Sequence, residues 1–192
     1  MSSSQSILGR LLGLAIDTLT NRTSRPSTTK AGRPRATLRV DAPSAAPTVE
    51  AGRARGSDTV RIDPERITDL LVDYAPEKDG APDSGEVIWT WVPYEENDGR
   101  GKDRPVLVIG RQSSDRVYAV RMTSKAHERD RDYLSIGSGA WDSQGRESWV
   151  DIEQLYSVHD RGMRREAAIL DRGRYDRVAS ALIARYGWAR TA

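Results

Sequence analysis

The chain offers few kinds of reactive side chain, and that shortage narrows its chemistry. It has no cysteine, so thiol nucleophiles, disulfides and thiolate metal sites are excluded. Two histidines, His127 and His159, are too few for a histidine-built zinc site, and neither metal nor cofactor is expected. Arginine, lysine, hydroxyl and carboxylate chemistry remain, and a pI near 9.0 points to an anionic partner such as nucleic acid. Arg104 carries a planar, permanently charged fork that fits two oxygens of a phosphate. Thr123 supplies a hydroxyl that can donate to a third. Ser124, Lys125 and Lys102 add further donors, and His127, close behind in sequence, could act as an acid or base. Trp89, Trp91 and Trp141 could stack on bases. Each residue also has a plainer reading. Arg104 could pair with Asp103 or Glu96 on the surface, Thr123 could bond its own backbone, and His127 could simply be solvated. The tryptophans could be core in a chain without phenylalanine.

The elements that must hold these groups are mostly strands. Residues 86–92 (EVIWTWV) are β-branched and aromatic, with Val87, Trp89 and Trp91 on one face. Residues 105–110 (PVLVIG) form a continuous apolar run, which implies burial on both faces. Residues 117–122 alternate, and the turn 111–116 makes the two runs antiparallel partners. That pairing would bring Thr123 back beside Arg104, while Pro105 biases Arg104 toward an extended conformation. Residues 93–103 read as a loop, 136–145 as a second glycine-rich loop, and 148–152 and 155–158 as short strands. Residues 172–186 place Tyr175, Val178, Ala179, Leu182, Ile183 and Tyr186 on one helical stripe. Together they predict a small, curled antiparallel sheet with a C-terminal helix, a β-rich α+β domain.

The amino-terminal part has a different composition. Residues 7–19 (ILGRLLGLAIDTL) predict one amphipathic helix, too short and too charged to span a bilayer; a membrane contact there is not expected. Residues 21–57 carry almost no large apolar side chain and cannot offset the entropy of ordering, so they predict a disordered linker. The boundary falls between residues 1–58, dispensable for folding, and a domain over 59–192. Asp63-Pro64-Glu65 has the form of a helix start and predicts a short helix over 64–73. The charge divides at the same place. Of 30 basic and 28 acidic residues, nine basic and three acidic lie at or before Gly56, leaving 21 against 25 in the remainder. A polyanion would therefore have to be held by a local cluster of cations, not by a general positive field.

Three segments then carry a resemblance. Gly85-Glu86-Val87-Ile88-Trp89, the run Gly101-Lys102-Asp103-Arg104-Pro105 with its hydrophobic strand, and Met122-Thr123-Ser124-Lys125 resemble, in order and spacing, three successive signatures of the PemK/MazF toxin endoribonucleases, in an actinobacterial-type branch. The resemblance implies an SH3-like small barrel, a homodimer in the cytoplasm, and metal-independent cleavage of single-stranded RNA by its own 2′-hydroxyl. It also implies neutralisation by a cognate antitoxin lying in the RNA groove, with DNA contact through the antitoxin complex. It makes Arg104 and Thr123 the catalytic pair, with Ser124, Lys125, Lys102, Trp89 and His127 as RNA contacts. A different class stays open: a non-catalytic barrel that binds nucleic acid or a protein.

Overall fold

The computed structural model describes residues 52–96 and 98–191, the side chains of 165 and 166 excepted. The helix expected over 7–19 and most of the basic linker lie outside the described residues.

Among the described residues nine strands form: β1 (Val60–Ile62), β2 (Leu71–Val72), β3 (Glu86–Pro93), β4 (Gly101–Arg111), β5 (Arg116–Thr123), β6 (Tyr133–Gly137), β7 (Ser148–His159), β8 (Met163–Ile169) and β9 (Ala189–Arg190). Seven of them make one antiparallel sheet in the order β1-β7-β5-β4-β3-β8, with β6 also paired to β7. The middle of β4 is buried on both faces, as its apolar run requires. On one face Val87, Leu107, Ile109, Val120 and Met122 pack beneath the helix α1 (Arg172–Tyr186). On the other, Ile88, Val106, Val108, Val117, Ala119, Tyr156 and Val158 form a second apolar cluster inside the curl of the sheet. Burying each such aliphatic side chain contributes about 1.5–3 kcal/mol before entropy is counted.

The two ends of the sheet meet through side chains. Thr90 on β3 donates to the carbonyl of Gly162 at 2.9 Å, so in its 2.9 Å contact with Thr59 it accepts. Gly52 closes the same point with φ +83°, where an added Cβ would lie 2.5 Å from Thr90 Oγ1; only glycine fits there. Residues 52–58, which composition groups with the linker, thus start in turns packed on the domain. The strand ladder itself does not close among the described residues. The expected barrel is a curled, open sheet.

Helix α1 has the predicted bounds. Asp171 caps it by accepting from the Arg174 N–H at 3.0 Å, and Gly187 ends it in the left-handed region. The helix predicted over 64–73 does not form. Asp63 caps a single 3-10 turn, Pro64–Arg66, after which the chain is extended and β2 pairs in parallel with β9. Leu70 and Val72 are buried there, and Trp188 fastens the tail by donating to the Ile67 carbonyl at 2.6 Å. Tertiary burial overrides a good helix start. Among the described residues no helix is long and apolar enough to cross a membrane.

Candidate active site

Strand β4 starts at Gly101, so Lys102, Asp103 and Arg104 are strand residues and not the end of a loop. Arg104 pairs with Thr90 on β3, and Pro105 with Trp89. Toward β5 the register runs Leu107↔Val120 and Val106↔Arg121, where the recorded pairing ends. Pro105, lacking an N–H, cannot extend a ladder as donor. Continued two residues beyond that pairing, the same register would set Arg104 opposite Thr123. The frayed strand ends border a cleft of about 350 Å³.

Six of the predicted residues line that cleft together: Arg104, Thr123, Ser124, Lys125, Lys102 and Trp89. Among the described residues Arg104 forms no ion pair, with Asp103 and Glu96 included. Asp103 instead takes Arg164 at 2.6 Å. Glu95, whose charge close to Arg104 would oppose an anion, accepts from Gln154 at 2.9 Å and pairs with Arg121 at 3.4 Å. The Gln154 amide, and then Arg121, hold its carboxyl below the usual range, and it faces a larger depression away from the cleft. Thr123 Oγ1 accepts the Lys125 N–H at 3.1 Å. This leaves its O–H proton to donate elsewhere, so bonding to its own backbone orients the hydroxyl without consuming it.

His127 does not join them. Its ring stacks on Tyr133 with centroids 3.6 Å apart and 9° between planes, and Nδ1 lies 3.5 Å from Asp130. The expectation of His127 as an RNA contact rested on its sequence distance from Lys125; the turn after Thr123 carries it to a separate shallow surface. Trp91 is buried, with the Arg53 guanidinium 5.6 Å from its ring centroid, and offers no exposed stacking face. Trp89 is half-buried at the cleft, with Arg164 6.0 Å from its ring centroid.

The far wall comes from the loop after β6. Trp141 is buried and donates Nε1–H to Ser148 at 2.9 Å. Asp142 binds Arg146 at 2.7 Å, and that hydrogen bond, with the Gln144 N–H, keeps its carboxyl below the usual range. Asp142 and Arg146 escaped sequence reasoning; the only signal was a glycine-rich loop between strands. Counting ions at the cleft, Asp103 is offset by Arg164 and Asp142 by Arg146. Lys102, Arg104 and Lys125 have no anionic partner among the described residues. Such an arrangement can hold a phosphodiester and neutralise charge that develops on it.

A family model described as PemK-like, MazF-like toxin of type II toxin-antitoxin system matches residues 83–185, over half of the chain. The chain belongs to this family. The match begins just ahead of β3 and ends within α1, so it contains the whole cleft. Among solved structures, similar folds include a MazE-MazF complex from Deinococcus radiodurans, with 20% identity, TM-score 0.44, and 56% of this chain against 96% of that one. A mycobacterial endoribonuclease in complex with its cognate antitoxin gives 15% identity, TM-score 0.45, and the shares 56% and 96%. Mycobacterium tuberculosis toxin MazF-mt6 gives 14%, 0.38, and 53% and 97%. No curated protein matches the chain.

Proposed function

We propose that this PemK/MazF-family protein is an endoribonuclease that cleaves single-stranded RNA by attack of the substrate's own 2′-hydroxyl on the scissile phosphate. The observation that carries the reading is Arg104, without an ion pair among the described residues, lining one cleft with Thr123 and two lysines that also lack an anionic partner there. In-line attack concentrates negative charge on the phosphoryl oxygens, and the protein's part is to align the phosphate and stabilise that charge. Arg104 supplies the bidentate counter-charge. Thr123 donates its remaining proton to a non-bridging oxygen, while Lys102, Lys125 and Ser124 hold the flanking backbone. Trp89 gives one base a partly exposed ring to stack on. No step needs a metal ion, and the two carboxylates that line the cleft, Asp103 and Asp142, are already bound to arginines.

Induced expression with a growth readout tests the reading in cells. Arrest, with fragmentation of messenger RNA, is expected; growth at the uninduced rate with intact RNA argues for a binding module instead. Thr123→Val removes the hydroxyl and keeps the shape. It should lower the cleavage rate roughly 10- to 100-fold, less than loss of a charged donor, and a parental rate would remove Thr123 from the mechanism.

The partner implied by the family is an antitoxin segment occupying the same groove, and the working form is a homodimer. Light scattering should therefore give about twice the 21.3 kDa chain mass. A strict monomer at high micromolar concentration would contradict the dimeric groove.

A further inference from the structure

Resting on that reading, the structure assigns Arg164 a positioning role: it holds Asp103 and so keeps Arg104 free for phosphate. Asp103 directly precedes Arg104, and both residues line the same cleft. A carboxylate there is the natural competitor of the substrate, both as counter-ion to the guanidinium and as a fixed negative charge beside a polyanion. Yet the site tolerates it. Arg164 reaches over from β8, across β3, and meets Asp103 Oδ2 at 2.6 Å. Asp103 Oδ1 is buried with no hydrogen-bond partner, so Arg164 is the carboxylate's one ligand among the described residues. The Asp103 side chain is only 18% exposed, and water can do little to replace a lost partner.

Geometry favours this division of charge. Successive residues of a strand leave on opposite faces, so Asp103 and Arg104 diverge at the backbone. Asp103 stands opposite Trp91 in the β3 register, and Arg104 opposite Thr90. Arg164 lies over the Trp89 ring, on the face that Trp91 and Asp103 share by register. The aromatic face fixes the guanidinium, the guanidinium fixes the carboxylate, and Arg104 stays unpaired. Arg164 need not touch the reacting atoms to matter.

A double-mutant cycle separates this role from a merely structural one. Initial cleavage rates on a random-sequence single-stranded RNA pool are compared for the full-length protein, Arg164→Gln, Asp103→Asn and the double variant. Affinity for an oligonucleotide with 2′-deoxy nucleotides is measured alongside. Arg164→Gln should lower the rate about tenfold and weaken binding in parallel, because it releases an anion into the cleft. In the Asp103→Asn background the same change should have little effect, since no anion remains to release. A bridge that merely tied β8 to β4 would be lost in both backgrounds, and no rescue would follow. Parental activity of Arg164→Gln, or an equal loss in both backgrounds, overturns the inference. If Arg104→Ala is inactive while Arg164→Gln is unaffected, only the positioning role fails. If Arg104→Ala itself cleaves normally, the catalytic reading fails first.

Discussion

Arg104→Ala should reduce RNA cleavage on the order of 100-fold or more and abolish growth arrest, with the circular dichroism spectrum and Tm close to parental. The expectation follows from what Arg104 lacks as much as from what it is. Its guanidinium holds no ion pair or hydrogen bond among the described residues, so its removal breaks nothing in the fold. Asp103, the adjacent carboxylate, is engaged by Arg164, and Glu95 is held by Arg121 and Gln154 away from the cleft. A planar fork held at a restrained pre-proline position is suited to charge that exists only in the transition state. Arg104→Lys should recover only part of the rate, because a point charge cannot reproduce bidentate contact. Equal cleavage by wild type and Arg104→Ala would remove the residue from catalysis.

Arg121, two residues before Thr123 on β5, should behave in the opposite way. Its side chain is 12% exposed and donates to Asp151 at 2.6 Å, a carboxylate 1% exposed, as well as to the Tyr133 hydroxyl at 3.1 Å. Arg121→Met would leave Asp151 buried without its cation, which typically costs about 3–5 kcal/mol and should lower Tm by roughly 10 °C or more. The double change Arg121→Met with Asp151→Leu should recover much of the loss, since the buried charge is then gone as well. Thermal denaturation followed by circular dichroism decides it. A melt unchanged by Arg121→Met would mean that water or a rearranged side chain already serves Asp151.

Two arginines on adjacent strands thus differ through their partners, and partners are what a sequence hides best. The helix over 172–186 and the strand cores 86–92, 105–110 and 117–122 were legible, because burial imposes a 3.6- or 2-residue period or a continuous apolar run. The strand Met163–Ile169 (MRREAAI) was not. Its three charged residues and two alanines show neither pattern, so Arg164 had no visible place. The β7 strand read as two pieces because Glu153 and Gln154 interrupt its apolar run; Gln154 in fact turns inward, accepting from Tyr156 and donating to Glu95. Residues 64–73 began as a helix should, and only the return of Trp188 and β9 made them extended. The gathering of Arg104, Thr123 and their lysine neighbours at one cleft was legible through motif order and the expected hairpin. That His127 lies apart from the cleft was not legible, because what draws it away is the ring of Tyr133, six residues on. Asp142 and Arg146 satisfy each other locally and leave no mark in the sequence beyond a turn.

The central claim, cleavage of RNA by its own 2′-hydroxyl, predicts the chemistry of the ends. Purified protein should cut a single-stranded RNA pool in the presence of a metal chelator, leaving 2′,3′-cyclic phosphate and 5′-hydroxyl ends, and a 2′-deoxy nucleotide at the scissile position should block the cut. Products bearing 3′-hydroxyl and 5′-phosphate ends, or cleavage that stops with chelation and proceeds past the 2′-deoxy nucleotide, would contradict it.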